Sequence, residues 1–254
     1  MPIVVLIILK GGTLLFACVL ALFSAIGIAE FYRMAMPKRK LELWLAAPTG
    51  SVLLFLPLSG NDRLIICAIS LLFVGFSLLF LFRIRSIDTA AHEVAFALLA
   101  FLYIPFLLMH LVLLRQTTFG IQWLIVIMLI VMTNDSAAYY SGSAFGKHPL
   151  YPLVSPKKSI EGAIGGLIGS LGGVMLAKFT FFPQLTFSDA VLTAVVVGMV
   201  GQAGDLFESL LKRSFGVKDS GTIIPGHGGV LDRMDSILFA APITYYYVLF
   251  FFRG

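Results

Sequence analysis

The sequence predicts an all-α membrane protein, a polytopic bundle of about eight (eight or nine) transmembrane helices with its polar site at the cytoplasmic helix ends. Three observations lead to this fold class. The 254 residues are 59% hydrophobic and only 12% charged, whereas soluble domains contain about 25% charged residues. Apolar runs of membrane-spanning length recur along the chain. The charged residues are concentrated in a few segments between those runs.

Eight apolar stretches are long enough to be membrane spans, since a helix needs about 20 residues to cross the hydrocarbon core. Residues 1–9 are apolar too, and either extend the first helix or form the stub of an extra one. We interpret this start as mature membrane sequence rather than a removable signal, because it lacks a basic leader. The predicted spans are residues 10–32, 43–59, 64–82, 93–114, 121–141, 161–180, 190–211 and 235–252.

The basic residues predict the orientation of the bundle. Thirteen of the 18 lysines and arginines fall in alternate connections between spans. The positive-inside rule places those connections in the cytoplasm, so we expect a bacterial cytoplasmic (inner) membrane with the site facing the cytoplasm. The net charge of +5 is modest and no soluble basic domain is present, so we expect no nucleic-acid partner. The cytoplasmic cations are Arg33, Lys38, Arg39, Lys40, Arg83, Arg85, Lys147, Lys157, Lys158, Lys212, Arg213, Lys218 and Arg233.

The two halves of the chain differ in content. Residues 1–120 are predicted to be plain N-terminal transmembrane helices, and residues 121–254 to be the transmembrane helices and cytoplasmic loops that carry the chemistry. In the first half, Glu30 is an acid near a helix end, and a polar contact between helices is favoured for it over a site role. Cys18 and Cys67 lie in apolar runs, so we expect small buried side chains and no disulfide or metal framework.

Two polar segments precede the densest cluster of charge. In Met132–His148, Asp135 lies near the end of a span. Because a charge facing lipid is costly, we expect it to face the protein interior, as a contact between helices or as part of a substrate or metal site. In SPKKSIEG, Ser159 is placed to cap a helix. The N–H groups of that helix start, with Lys157 and Lys158, predict an anion site, and a positive-inside membrane anchor is the alternative role for the two lysines.

Two stripes of glycine predict close packing of helices rather than chemistry. Small residues repeated on one helix face let a neighbouring helix approach closely. The stripes are Gly165, Gly169 and Gly173, and Gly198, Gly201 and Gly204.

The segment GQAGDLFESLLKR places two acids and a lysine on one helix face. Asp205, Glu208 and Lys212 lie at positions i, i+3 and i+7, and such residues are neighbours on a helix surface. Carboxylates at the end of a span suit a hard cation such as Mg²⁺, which prefers oxygen ligands and retains waters. An ion pair with Lys212 within the helix is the alternative role for both acids.

The stretch Ser209–Asp235 is the most informative part of the chain, because it is dense in charge and glycine between two hydrocarbon-like segments. Gly228 and Gly229 follow His227 and allow the backbone to bend tightly and approach a ligand. Exposed N–H groups in such a loop form an anion-binding nest. The stretch therefore predicts phosphate handling.

Two aspartates follow these glycines at the start of the next helix. Asp232 and Asp235 are three residues apart and share a helix face. We expect Asp232 to meet Asp205 across two helix ends and complete a metal site, with Glu208 and Asp235 as further candidate ligands. The cations expected to neutralise phosphate are Lys212, Arg213, Lys218 and Arg233.

Ser209–Asp235 resembles the signature of the phosphatidate cytidylyltransferases, also called CDP-diacylglycerol synthases. That pattern runs S-x-x-K-R, four residues, K-D-x-G, then P-x-H-G-G-x-x-D-R-x-D. The segments NDSAAYYSGSAFGKH, SPKKSIEG and GQAGDLFES also resemble the family, so the resemblance covers residues 132–236, with AEFYRMA as a further match in the first half. The residues that match the signature are Ser209, Lys212, Arg213, Lys218, Asp219, Gly221, Pro225, His227, Gly228, Gly229, Asp232, Arg233 and Asp235.

The resemblance implies an activity, a cofactor and an assembly. It implies that CTP reacts with phosphatidic acid, a lipid of the bilayer, to give CDP-diacylglycerol and pyrophosphate, with Mg²⁺. It also implies that Asp205 and Asp232 hold the metal ions, with a K⁺ ion as a candidate second cation, and that the protein is a homodimer.

The chemistry of the implied reaction suits these residues. A phosphate monoester would attack the α-phosphorus of CTP in line, so negative charges must approach one another and be neutralised. The nucleophile is already an anion, so His227 is expected to position phosphate rather than to remove a proton. The predicted catalytic residues are Asp205, Asp232, Lys212, Arg213, Lys218, His227 and Arg233. The predicted substrate- and phosphate-binding residues are Lys158, Ser155, Asp135, Asp219, Gly228 and Gly229.

Two other functions stay open at this point. A CTP-dependent polyprenol or dolichol kinase is also a membrane enzyme that uses a nucleotide, but it would release CDP rather than pyrophosphate. A transporter would place its acids at the membrane midplane in broken helices, whereas the acids here cluster at one membrane face. The long signature disfavours the kinase, and the position of the acids disfavours the transporter.

Overall fold

The structure, a computed structural model, describes residues 2–223 and 228–254 and is mostly α-helical in those ranges. A 3₁₀ segment, Leu53–Ser59, continues helix α3, a π-helical turn, Leu102–Phe106, joins α5 to α6, and a second 3₁₀ turn covers Leu231–Arg233. The α-helices are α1 (Pro2–Lys10), α2 (Thr13–Ala35), α3 (Lys40–Val52), α4 (Asp62–Phe82), α5 (Ile87–Phe101), α6 (Leu107–Arg115), α7 (Gly120–Phe145), α8 (Ile160–Thr180), α9 (Phe187–Ser214) and α10 (Asp235–Phe250).

The helices confirm the predicted polytopic membrane fold. Within the described ranges, seven helical segments are long and apolar enough to cross a membrane. The eighth predicted span corresponds to α10, an apolar helix of 16 residues, which covers about 24 Å of a hydrocarbon core about 30 Å thick. The seven longer segments are Thr13–Ala35, Lys40–Ser59, Asp62–Phe82, Ile87–Arg115, Gly120–Phe145, Ile160–Thr180 and Phe187–Ser214.

The start of the chain forms a short helix of its own. Helix α1 ends at Lys10, and Gly12 has an extended backbone (φ −69°, ψ 166°) before α2 begins. Of the two alternatives for residues 1–9, the structure therefore has a separate short helix and not an extension of the first span.

The expectation that Cys18 and Cys67 are buried is wrong, because both side chains are exposed. Cys67 lies on α4, a helix that buries Phe76 and Phe80. A helix that is apolar on every face gives no sequence signal for which face packs inward. The outward faces of such helices suit lipid, and the two thiols lie on them.

A short hairpin precedes α8, and the sequence did not predict it. Strand β1 (Pro149–Tyr151) pairs antiparallel with β2 (Ser155–Ser159). At the end of β2, the Ser159 hydroxyl accepts a hydrogen bond from the Gly162 N–H at 3.1 Å, which confirms the predicted helix cap. The hairpin and the cap together fix the position of Lys158 on β2.

The stripe of Gly165, Gly169 and Gly173 brings α8 against α7, as predicted. A Cβ placed on Gly169 would lie 2.5 Å from the Ala137 Cβ and 2.6 Å from the Thr133 carbonyl oxygen. A Cβ on Gly173 would lie 2.7 Å from the Thr133 hydroxyl. The two backbones are therefore closer than any larger residue at these positions would allow.

Contacts between residues divide the chain into two compact units. The first unit comprises Met1–Leu9, Leu114–Lys218 and Met234–Gly254. The second unit comprises Lys10–Leu113 and Asp219–Arg233. The segment Asp219–Arg233 thus belongs with helices that precede it by more than a hundred residues. The predicted functional division at residue 120 stays a prediction.

A buried ion network lies in the second unit. Arg39 is 2% exposed and donates hydrogen bonds to Glu42 at 3.0 Å and to the Arg83 carbonyl at 2.8 Å, and it also pairs with Glu93. The Arg83 Nε donates to the same Glu42 oxygen at 3.1 Å. The opposite charges joining α3, α4 and α5 therefore compensate one another.

Candidate functional site

Three aspartates of the first unit form an acidic cluster: Asp135 on α7, Asp205 on α9 and Asp235 at the start of α10. The charge of Asp205 acts on both Asp135 and Asp235, and the charge of Asp135 also acts on Asp235. Like charges so close destabilise one another's ionised forms. The cluster is therefore stable as charged groups only with cations beside it.

Lys158 supplies such a cation. Its Nζ lies 2.5 Å from the Asp205 Oδ2, and its charge also acts on Asp135. The Lys158 and Asp205 side chains are 31% and 30% exposed, so a ligand from solution can reach both. The structure thus brings together two residues that the sequence placed in the site from separate segments.

Asp135 has a different environment from the one predicted. We expected it to face the protein interior, but its side chain is exposed. Of its charged neighbours, Asp205 disfavours the ionised carboxylate of Asp135, whereas Lys158 favours it.

Glu208 and Lys212 form a second pair one turn further along α9. The Lys212 Nζ lies 3.2 Å from the Glu208 Oε2, and both residues are buried. The ion pair within the helix, which the sequence left open as an alternative for Glu208, is therefore present, and a metal-ligand role for Glu208 stays a prediction.

Amide side chains lie next to the acidic cluster, and sequence reasoning missed one of them. The Gln202 Nε2 donates to the Asn134 Oδ1 at 2.9 Å and to the Ala163 carbonyl at 3.0 Å, and the Asn134 Nδ2 donates to the Ser170 hydroxyl at 2.8 Å. With Asp135, Asn134 and Gln202 line a small recess. A polar side chain within a membrane span costs free energy unless it has a partner. The position of Gln202 within a predicted span was therefore the sequence signal for its role.

The segment Asp219–Arg233 of the second unit is here called the signature loop, and its described residues, 219–223 and 228–233, are folded around Asp232. The Asp232 Oδ2 accepts hydrogen bonds from the Ser220 N–H at 2.9 Å and from the Gly229 N–H at 2.7 Å. It also lies 2.9 Å from the Ser220 hydroxyl. Charge-assisted hydrogen bonds of this kind are among the stronger ones in proteins, so Asp232 fixes both sides of the loop.

Glu30 on α2 holds the same loop, which corrects its predicted role. It is fully buried, and it accepts hydrogen bonds from the N–H groups of Val230 at 3.0 Å and Leu231 at 2.9 Å. The Ser220 hydroxyl lies 3.2 Å from it. The interpretation as a contact between helices is wrong, because these partners belong to the signature loop. Glu30 is the only charged residue between Lys10 and Arg33, and that isolation was the available signal.

Two glycines of the signature loop are required by this geometry. Gly228 has φ +81°, a left-handed conformation that glycine adopts without strain. A Cβ there would lie 2.5 Å from the Asp232 Oδ2, and a Cβ on Gly229 would lie 2.5 Å from the Glu30 Oε2. The Gly229 N–H is bound to Asp232, so contact of these glycines with phosphate stays a prediction.

The remaining predicted residues lie at exposed or half-buried positions. Arg213 is exposed and donates to the Val217 carbonyl at 3.3 Å. His227 lies outside the described residues. Lys218, Asp219 and Arg233 are exposed, and Ser155 is half-buried on β2. The predicted meeting of Asp205 with Asp232 stays a prediction, because the two residues belong to different units.

The donor chemistry of the acidic cluster fits Mg²⁺. In the part of the chain that the structure describes, no three His, Cys, Asp or Glu side chains converge as a metal cage. Mg²⁺ seldom uses such a cage, since it binds through one or two carboxylates, substrate phosphates and waters. The half-exposed Asp205 carboxylate, on which Lys158 already places a positive charge, is a suitable oxygen donor.

Comparisons with known proteins match almost the whole chain to cytidylyltransferases. A family model described as "Cytidylyltransferase family" matches residues 1–251. The phosphatidate cytidylyltransferase of Staphylococcus haemolyticus (strain JCSC1435) is 36% identical over 245 residues, which are 93% of this chain and 90% of that protein. Proteins of the same name from Staphylococcus aureus (strain COL) and Staphylococcus saprophyticus are 36% identical over 242 residues and 34% identical over 245 residues, with the same coverage.

Proposed function

Because the chain belongs to the cytidylyltransferase family, we propose that it is a phosphatidate cytidylyltransferase that converts CTP and phosphatidic acid to CDP-diacylglycerol and pyrophosphate. The observation that carries this proposal is the 36% identity to proteins of that name over 93% of the chain. The aligned length includes both the acidic cluster and the signature loop. The polytopic helical fold suits a substrate whose acyl chains stay in the bilayer.

The reaction is a substitution at phosphorus. An oxygen of the phosphatidic acid monoester forms a bond to the α-phosphorus of CTP, the bond from that phosphorus to the bridging oxygen breaks, and pyrophosphate leaves with the electron pair. Positioning and charge neutralisation supply most of the catalysis in such transfers. The attacking oxygen is already an anion, so no strong base is needed.

Lys158 is the residue that we expect to meet the incoming phosphates. Its partner in the structure is Asp205, at 2.5 Å, and both side chains are partly exposed. A phosphate oxygen can therefore replace the carboxylate as the partner of the ammonium group. Arg213, Lys218 and Arg233 are exposed cations that are proposed to bind the remaining oxygens.

Mg²⁺ is the proposed cofactor, with Asp205 and Asp232 as its ligands, Glu208 and Asp235 as further candidates, and K⁺ as a candidate second cation. When bound, Mg²⁺ offsets the charge on the phosphate oxygens and on the leaving group. The residues of this chain contribute the carboxylate oxygens that would hold it.

The proposed setting is the cytoplasmic face of a bacterial inner membrane, where CTP is available. The concentration of lysine and arginine in alternate connections supports this orientation. A homodimer is proposed on the same family grounds as the activity.

Two labelled forms of CTP test the proposed function. Purified protein in nanodiscs receives phosphatidic acid, Mg²⁺ and CTP labelled at either the α- or the γ-phosphorus. The proposal expects α-label in the lipid product and γ-label in pyrophosphate. A lipid kinase would instead move γ-label to lipid and leave α-label in CDP, and a transporter would give neither product. Either of those results would refute the proposal.

A further inference from the structure

We propose that Glu30 is a positioning residue for this reaction: from α2, its carboxylate sets the shape of the signature loop and, through Ser220, the orientation of Asp232. The inference rests on the proposed function, since that function makes Asp232 part of the phosphate-transfer site. Glu30 lies outside the Ser209–Asp235 signature and precedes the loop by about 190 residues.

Both carboxylate oxygens of Glu30 accept hydrogen bonds from the backbone of the signature loop. The Glu30 Oε1 accepts from the Val230 N–H at 3.0 Å, and its Oε2 accepts from the Leu231 N–H at 2.9 Å. Both oxygens are thus used on consecutive backbone N–H groups directly before Asp232. A fully buried carboxylate is costly unless hydrogen bonds compensate it, so this arrangement fixes the backbone from which Asp232 projects.

Ser220 links Glu30 to Asp232. Its hydroxyl lies 3.2 Å from the Glu30 Oε2 and 2.9 Å from the Asp232 Oδ2, and it accepts from the Asp232 N–H at 3.3 Å. Ser220 is buried, at 5% exposure. A single side chain therefore touches both carboxylates, and a displacement of Glu30 is transmitted to Asp232 through one hydroxyl.

Two glycines of the signature loop pack too closely against Glu30 to carry a side chain. A Cβ on Gly221 would lie 2.6 Å from the Glu30 Oε1, and a Cβ on Gly229 would lie 2.5 Å from the Glu30 Oε2. Two glycines of the signature are thus packed directly against this carboxylate. These contacts with Glu30 explain why glycine is needed at positions 221 and 229, between Ser220 and Asp232.

The test replaces the carboxylate without changing its size. In Glu30→Gln one oxygen becomes an amide donor, which must face an N–H group of Val230 or Leu231 and so displaces the loop. Because small misplacements of reacting groups cost about 100-fold in rate, we expect kcat for CDP-diacylglycerol formation to fall about 100-fold, with KM for CTP changed less than about threefold. Ser220→Ala, which removes one hydroxyl, should lower kcat about tenfold by the same reasoning.

Hydrogen exchange supplies a readout that does not depend on catalysis. In Glu30→Gln, peptides containing Ser220, Val230 and Leu231 should exchange faster, while peptides of other segments keep their rates. Glu42→Gln is the matched control, since Glu42 is equally buried in the same unit and contacts Arg39 and Arg83. That variant should leave loop exchange and kcat near wild type even if it lowers the melting temperature.

The outcomes separate the two proposals. Folded Glu30→Gln with normal kcat, or with slow kcat but unchanged loop exchange, would overturn the role of Glu30. If Glu30→Gln does not fold, Ser220→Ala decides, and normal kcat with normal exchange in that variant counts against the link. Wild-type protein that makes no CDP-diacylglycerol would refute the proposed function, while the exchange experiment still tests whether Glu30 holds the loop.

Discussion

The acidic cluster of the first unit and the carboxylates of the signature loop differ in what compensates their charge. In the acidic cluster, Asp205 pairs with the flexible side chain of Lys158, and both groups are partly exposed. In the signature loop, Asp232 and Glu30 accept hydrogen bonds from backbone N–H groups and from a buried serine. Side-chain cations can exchange partners when a ligand arrives, whereas backbone donors cannot leave. The comparison suggests that the cation beside the acidic cluster can exchange partners with a charged ligand, whereas the loop holds Asp232 in one orientation for its proposed role at the site.

The largest expected effect is a loss of activity when Asp205 of the acidic cluster is replaced. Asp205→Asn removes a proposed metal ligand and the partner of Lys158, and we expect a loss of activity on the order of 1,000-fold or more, since metals and cations supply most of the transition-state stabilisation. The rate of CDP-diacylglycerol formation measures it. Asp189→Asn is the control, because Asp189 lies at the opposite end of the same helix, where it forms a capping box with Thr186. A folded, fully active Asp205→Asn variant would remove Asp205 from the site.

The next effect concerns the exchangeable cation. Lys158→Met should lower kcat/KM for CTP about 100-fold, the size expected when one charge-stabilising donor is lost. Lys158→Arg should retain part of the activity because it keeps the charge. Lys147→Met, at an exposed lysine of the same unit, serves as the control. If Lys158→Met and Lys147→Met have equal kcat/KM, then Lys158 only stabilises Asp205 in the structure.

A third effect concerns stability and sharpens the comparison within the first unit. Lys212→Met leaves Glu208 buried without its ion-pair partner, and removing one member of a buried pair costs about 3–5 kcal/mol of stability. Thermal unfolding in detergent measures the loss. The double variant with Glu208→Gln should recover most of it, since no uncompensated charge remains. Recovered stability without recovered activity would support a role of Lys212 or Glu208 at the site, and recovery of both would make the pair structural.

The sequence predicted those features that depend on local pattern. Spans such as 64–82 and 161–180 were visible because an uninterrupted apolar run of about 20 residues is typical of a membrane-spanning helix and rare elsewhere. The Ser159 cap and the α8 glycine stripe were visible because capping and packing depend on residues within one or two turns. Lys158 and Asp205 were both named, but the hydrogen-bond distance between them depends on the fold.

Features that depend on distant partners were missed or misjudged. Glu30 looked like a contact between helices because its partners, Val230 and Leu231, lie 200 and 201 residues away. The hairpin before α8 has strands of only three and five residues, too short to show an alternating pattern, so its sequence resembles a loop. The outward faces of α2 and α4 could not be identified, because lipid-facing and protein-facing residues are equally apolar.

The long separation between Glu30 and its loop partners has a consequence for biosynthesis. Ribosomes add about 5–20 residues per second, so α2 is made roughly 10–40 seconds before Leu231 is attached to the chain. During that interval the Glu30 carboxylate belongs to a nascent helix whose hydrogen-bond donors do not yet exist. The loop can close only after almost the whole protein has been translated, so a chain arrested upstream of Ser220 carries α1–α9 without the loop or α10. We therefore expect prematurely terminated chains to be inactive.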